Sequence, residues 1–260
     1  MPFDTLRRLV PAPLRRRVKR ALGLPERRLH ADWKLLERIG PVAGPHVVLD
    51  VGAHHGWFFH CWQDWCPGAE VHAFEPTPDS FARCRQLYGD DPRVRLTQSA
   101  VGSEAGRARL NVLGESSVSN SLLEPEAATW RAIEYRTGEI GEIEVPVLRL
   151  DDYADAAGLG EIHLLKIDVQ GFEMEVLRGA EATLPRVAHV FVESGIRPLY
   201  RGGARFSEVF DHLTGHGFHL IGMRAWHRGN HALVEADLLF RRDDLMPPID
   251  ARVDRIYESS

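Results

Sequence analysis

Only three cysteines occur in 260 residues, Cys61, Cys66 and Cys84, and their spacing matches neither a zinc cluster nor a C-x-x-C redox pair. A disulfide framework and a cysteine-built metal module are therefore excluded, and the thiols are expected to be reduced and mostly packed, as in a cytosolic protein. No apolar run approaches the ~18 residues a membrane-spanning helix needs. The N-terminus is basic throughout and lacks the apolar core of a secretory signal. G-x-G-x-x-G, the dinucleotide fingerprint, is absent. His227 and His231 lie four apart, but Gly229-Asn230 between them argues against the helix that H-x-x-x-H requires. His212 and His216 fall at a helix end, where the dipole favours a cation, and no metal is expected.

What is present is a set of apolar runs that end at acids. Val47 to Phe58 reads VVLDVGAHHGWF, a buried strand, a tight glycine turn and a helix start. Residues without bulk recur there, Gly52, Ala53 and Gly56, because the backbone must bend hard and leave room for a ligand. Asp50 stands where a dinucleotide loop places its first glycine. A carboxylate at that point repels a pyrophosphate and suits a cationic or hydroxyl-rich ligand, which favours S-adenosylmethionine over NAD.

The pattern repeats along the chain. Val71 to Phe74 ends at Glu75, and Pro76-Thr77-Pro78 opens a helix through Leu87. Val94 to Gln98 leads into Ser99-Ala100-Val101-Gly102. Ile162 to Ile167 ends at Asp168 and turns through Gly171 into a helix from Glu173 to Arg178, while Val187 to Val192 ends at Glu193. Strands alternating with helices predict βαβ units and a mostly parallel sheet, with ligands beyond the carboxyl ends of the strands. Carboxylates avoid burial unless paired or bound to something, so Asp50, Glu75, Asp168 and Glu193 are expected along one rim. Glu75 is placed to accept both hydroxyls of a ribose. A helix from Phe206 to Leu213 and strands at Phe218 to Ile221 and Ala236 to Phe240 complete the sheet, with an antiparallel hairpin turning at Trp226 to His231. Residues 107 to 149 break the alternation: Ala108 to Leu113 and Ile143 to Leu148 read as two strands, and the stretch over 113–146 as an insertion or lid carrying Ser116, Ser117, Ser119, Asn120, Ser121, Trp130 and Tyr135.

Charge is uneven. Residues 1 to 28 hold nine Arg and Lys against Asp4 and Glu26, a surplus of seven, so with a whole-chain charge of −5 the remainder carries −12. Apolar residues recur at helical spacing there, and Pro11 and Pro13 divide the run into two short helices, the second stopped by Gly23. Two readings stay open: a peripheral anchor on an anionic membrane or glycan surface, and a solvated helix packed on the domain. Nucleic acid is not an expected partner, since Phe3 is the only aromatic of this stretch and the rest of the chain is acidic.

VVLDVGAHHGWF, AFEPTPDSF, SAVG, LDDY at Leu150 to Tyr153, LLKIDVQGFEMEVLRGA and FVES, in that order, resemble the FkbM-type methyltransferase family across residues 45 to 240. The resemblance implies the class I S-adenosylmethionine-dependent methyltransferase fold, Rossmann-like α/β, with a mostly parallel seven-stranded sheet, a reversed last strand and helices on both faces. It implies methyl transfer to a hydroxyl of a sugar, glycolipid, polysaccharide or polyketide-type metabolite. Asp50, Gly52, Ala53, Gly56, Glu75, Pro76, Gln98, Ser99 and Ala100 form the expected cofactor-binding set, the last two near the adenine. Asp168 is the first candidate for general base, with Glu173, Glu193 and His54 behind it; His54 and its neighbour His55 also read as plain loop residues. The family motif reads K-I-D-V-E-G, whereas this chain carries Gln170, and an amide cannot replace a carboxylate as a proton acceptor. Two alternatives to an O-methyltransferase follow: an NAD-dependent oxidoreductase, and a catalytically silent protein that keeps the pocket. The expected organisation is a basic helical extension over 1–30, the catalytic domain over 31–245 and a tail over 246–260, in the cytoplasm or peripheral to a membrane.

Overall fold

Strands β1 (His46–Val51), β2 (Ala69–Phe74), β7 (Ile162–Ile167) and β8 (Val187–Gly195) are the apolar runs read above, and their side chains are buried on both faces, as parallel strands covered by helices must be. They belong to a computed structural model that describes residues 35–39, 42, 44–113, 117–132, 138–197, 199–228 and 232–246. With β3 (Val94–Thr97), β9 (Phe218–Arg228) and β10 (Ala232–Arg242) they form a seven-stranded sheet ordered β3-β2-β1-β7-β8-β10-β9. Only β10 runs against its neighbours, so the reversed last strand is present. The chain steps from β1 outward to β3 and later resumes at β7 on the other flank of β1, which makes the β1/β7 gap the topological switch point.

Alternate residues of each strand feed two cores. Val48, Val71, Leu164 and Phe191 pack with Phe59 and Trp62 of α1 (Trp57–Trp65) and Cys84 and Tyr88 of α2 (Pro78–Tyr88). Leu49, Val51, Leu165 and Val190 pack on the opposite face with α4 (Leu150–Ala156), α5 (Glu173–Arg178) and α6 (Phe206–Gly215). The first acid of LDDY serves structure: Asp151 accepts hydrogen bonds from the Thr183 amide at 2.8 Å and its hydroxyl at 2.7 Å, pinning α4 to the loop after α5. Cys66 and Cys84 are buried and Cys61, Cys66 and Cys84 form no disulfide, with burial pushing Cys84 up to about 12.

The break in alternation is a second sheet, β4-β6-β5, built from β4 (Ala100–Val101), β5 (Gly106–Leu113) and β6 (Ile140–Leu148). Between β5 and β6 lie a 3-10 turn at Ser117–Ser119 and the short α3 (Ala127–Ala132). Trp130 of α3 is buried against Leu113, Leu199, Tyr200 and Val234, and its indole donates to the Leu199 carbonyl. β9 and β10 run further than their apolar segments, because ladder pairing continues past the core as far as Ala232 opposite Arg228. Trp226 is therefore a strand residue rather than part of the turn. The extension over 1–30, Ser116, Tyr135, the turn at Gly229-Asn230 with His231, and the tail beyond Met246 lie outside the described residues. No helix among the described residues is long and apolar enough to cross a membrane.

Candidate active site

A cavity of about 520 Å³ opens at the carboxyl ends of β1, β2, β7 and β8, within the ~300–1,000 Å³ range of small-ligand pockets. Gly52, Ala53, His54, Glu75, Pro76, Ser99, Ala100, Asp168 and Glu193 from the expected set all line it. Leu110 of β5, and Val118, Asn120, Ser121 and Leu122 from the segment between β5 and β6, line one side. Trp57, Phe58, Phe172 and Phe191 supply an aromatic remainder.

The turn after β1 explains its glycine. Gly52 has φ +78, and a Cβ there would sit 1.8 Å from the Asp168 carbonyl oxygen, where β1 and β7 end side by side. The Gly52 and Ala53 amides both donate to the Phe74 carbonyl at 3.0 Å. The His54 amide donates to Glu75 Oε2 at 2.8 Å, and the Thr77 amide to Glu75 Oε1 at 2.8 Å. These loop N–H groups are thus satisfied within the protein, unlike those of a phosphate cradle. The same bonds lock the Glu75 carboxylate in place. Burial raises its pKa, against the opposing pull of the two amides.

Asp50 does not face the cavity as the strand-end argument expected. It is fully buried beneath the turn, 3.0 Å from Lys166 Nζ, and does not line the pocket. The Lys166 ammonium donates to the carbonyls of Gly52 at 2.6 Å and Val51 at 3.3 Å and lies 3.8 Å from Asp168. Burial works against that charge, but Asp50, Asp168 and Glu193 outweigh it and raise the lysine. The acid of β1 therefore supports the turn from below through an ion pair, because a lone carboxylate in the sheet interior would be too costly. Sequence reasoning passed over Lys166, although a single lysine inside an otherwise apolar strand is itself a sign of a buried partner.

Three other expected residues stand apart from the cavity wall. β3 stops at Thr97, so Gln98 turns outward and is exposed, while Ser99 turns inward and donates to the carbonyls of Ala100 and Pro146. Gly56 caps α1 with φ +78 and abuts the rings of Phe59 and Tyr88. Glu173 is buried behind the wall, where it accepts from the Gly171 amide at 2.8 Å and burial pushes it up to about 8.

Gln170 joins the remaining acids. Its Nε2 donates to Asp168 Oδ1 at 3.0 Å and to Glu193 Oε2 at 2.7 Å, and its Oε1 accepts from the Tyr200 hydroxyl at 3.0 Å. The Tyr200 proton is shared with the Ser119 carbonyl, 2.9 Å from the same hydroxyl, and Ser121 Oγ donates to the Gln170 carbonyl at 2.6 Å. The residue holds a left-handed φ of 56 ahead of Gly171 at 97, a conformation costly outside glycine. Burial and the nearby Asp168 raise Glu193 well above the usual glutamate range. Asp237 of β10 pairs in register with Glu193 and also lines the cavity, 3.9 Å from Arg224. His54 has φ 49 and stacks on His55 with ring centroids 3.7 Å apart. Burial, then His55, lowers it to about 4, so it is a neutral imidazole near pH 7.

Residues 50–220 match the methyltransferase FkbM domain family. The chain belongs to that family. It is 32% identical over 218 residues to the 2-O-methyltransferase NoeI of Sinorhizobium fredii, covering 81% of this chain and 83% of that protein. It is 33% identical over 196 residues to the 31-O-demethyl-FK506 methyltransferase FkbM of Streptomyces tacrolimicus, covering 67% and 73%. Among solved structures, the N-methyltransferase NodS from Bradyrhizobium japonicum WM9, with S-adenosyl-L-homocysteine, aligns at a TM-score of 0.47 and 11% identity over 83% of this chain and 91% of that one. This FkbM-family protein is an S-adenosylmethionine-dependent methyltransferase, which removes the nicotinamide oxidoreductase alternative. The cavity fits the cofactor: an anchored carboxylate suits ribose hydroxyls, and a wall of aromatic rings with Asp168, Glu193 and Asp237 suits a sulfonium.

Proposed function

We propose that the chain is an O-methyltransferase whose acceptor is a hydroxyl of a sugar, glycolipid, polysaccharide or related natural product. The observation that carries this reading is Asp168, a carboxylate 40% exposed at the cavity floor and oriented by the Gln170 amide. Three relatives bear names consistent with it: the two above and the hexuronic acid methyltransferase AglP of Haloferax volcanii, 26% identical over 132 residues. Glu75 would hold the ribose hydroxyls and Ser99-Ala100 the adenine edge, with Gly52, Ala53 and Pro76 shaping the wall. When bound, S-adenosylmethionine supplies a methyl group on a sulfonium for in-line displacement.

The chain's own residues then have two tasks. Holding the reactants aligned is worth ~7–11 kcal/mol. Accepting the hydroxyl proton adds ~10²–10⁴-fold, so positioning outweighs the base. Asp168 is the base in this proposal, and neutral His54 is the second choice. Glu193 is held by the Gln170 amide at 2.7 Å, and Glu173 does not line the cavity. The silent-protein reading rested on Gln170, and the amide's bonds to both acids support an intact floor instead. The basic stretch over 1–28 is proposed as a peripheral contact with anionic lipid or glycan.

Labelled methyl transfer to a panel of sugars, glycolipids and polyketide alcohols, with amines as controls, tests the proposal. The expected product is a methyl ether. Asp168→Asn is expected to lower kcat ~10²–10⁴-fold with cofactor affinity retained. Methylation confined to nitrogen or carbon, or full activity in that variant, would overturn it.

A further inference from the structure

Away from the cavity, α6 ends in a pair of histidines one helical turn apart. His212 lies in its last turn and His216 immediately follows it. One ligand atom from each, and a carboxylate oxygen of Glu181 in the turn after α5, all lie within 4.8 Å of one another. Sequence spacing offered His212 and His216 no third partner; the fold supplies it.

Several features make this more than a surface coincidence. His216 Nδ1 bonds the His212 backbone carbonyl at 2.7 Å. If Nδ1 is the donor, the Nε2 lone pair is free to ligate, and such a bond from the second ring nitrogen is what orients metal-bound histidines. Nε2 of His212 is buried with no hydrogen-bond partner, a state that otherwise asks for explanation. Glu181 is exposed, but its backbone is set between the fully buried Ala180 and Thr183, and Thr183 is tied to Asp151. Arg178, the nearby cation, is occupied by Glu175. The negative end of the α6 dipole adds to the attraction.

We propose that Glu181, His212 and His216 form a site for a divalent transition-metal ion of the zinc class, clamping the end of α6 to the turn after α5. Two imidazoles and a carboxylate are a donor set that suits Zn²⁺, with water in the fourth position. Tetrahedral bonds of ~2.0–2.1 Å need ligand atoms ~3.4 Å apart, so the ligand atoms draw together on binding, which the exposed Glu181 side chain permits. The site is remote from the chemistry. Six residues of α5 and ten of α6 carry the chain ~9 Å and ~15 Å along their axes from the cavity end. The ion's role is to tie two elements of one core face, not to activate the acceptor.

The test uses the full chain, stripped of metal, titrated with Zn²⁺ by calorimetry and with Co²⁺ followed by its visible absorption. One site per chain is expected, together with a rise in Tm. His216→Ala should weaken binding beyond the ~10–100-fold typical of losing an outer-shell partner and abolish the Tm rise. Glu181→Gln should weaken it less. Methyl-transfer rate should be the same in both variants. Zinc binding that survives His216→Ala but is lost in His55→Ala would assign the metal to the stacked His54–His55 pair and overturn the proposal, as would no uptake at all.

Discussion

Gln170 shows how much one atom can decide. Its Nε2 places a donor between two carboxylates that would otherwise face each other, and it does so without taking up a proton. A glutamate there, as in the family's motif, could bridge Asp168 and Glu193 only by sharing a proton. Gln170→Glu should therefore be active at low pH and fall ~10–100-fold once that proton is stripped, the worth of a hydrogen bond to a charged group at ~1.5–3 kcal/mol. Superimposable pH–rate profiles for the variant and the parent would discard the bridge. Histidines set a different pH limit. His46, His163 and His189 stand edge to edge across β1, β7 and β8, and burial lowers His163 and His189 to about 4. The unfolded chain binds protons on His163 and His189 from 6.5 downward and the folded chain does not, so their contribution is complete above 6.5 and lost as pH falls toward 4. Glu173, raised to about 8, acts in the opposite sense between 8 and 4.5. Comparing His163→Phe with the parent removes that overlap: the variant's Tm should fall less steeply between pH 6.5 and 4.

At the scale of elements, the β1 turn and the end of β7 are one object. Lys166 reaches across from β7 to Asp50 and to two carbonyls of the turn, while Gly52 abuts the Asp168 carbonyl. Removing the cation strands a fully buried carboxylate, at a cost of about 3–5 kcal/mol. For a domain of this size that lowers Tm by ~6–20 °C. Lys166→Met should show this by calorimetry, and adding Asp50→Asn should recover part of it; simple additivity of the two changes would argue that the groups do not interact. The strands themselves were legible in sequence because each is an apolar run punctuated by an acid or glycine. Lys166 escaped notice because a lysine reads as a surface residue unless its strand is known to be covered on both faces. Gln98 and Ser99 were separable only once β3 was seen to stop at Thr97.

For the molecule as a whole, the strand–helix alternation and the mostly parallel sheet were legible in local pattern, and the seventh, reversed strand came with the family resemblance. The insertion's packing was not legible, because it depends on contacts far apart in sequence, such as Trp130 with Leu199 and Tyr200 with Ser119. Nor does local pattern decide the use of the basic stretch over 1–28. A chain lacking those residues should pellet less with anionic vesicles than the full chain and methylate a soluble acceptor equally well; unchanged pelleting discards the membrane contact. The second sheet has its own consequence. β4 pairs directly with β6, and the Gly102 amide bonds the Leu148 carbonyl, so the chain departs and returns at one doorway. Residues 103–147 are in effect a cartridge, exchangeable without re-threading the large sheet. A chimaera carrying the corresponding segment of a relative should keep its affinity for S-adenosylmethionine within a few-fold by calorimetry while acquiring the relative's choice of acceptor, which gives this scaffold a direct route to new substrates.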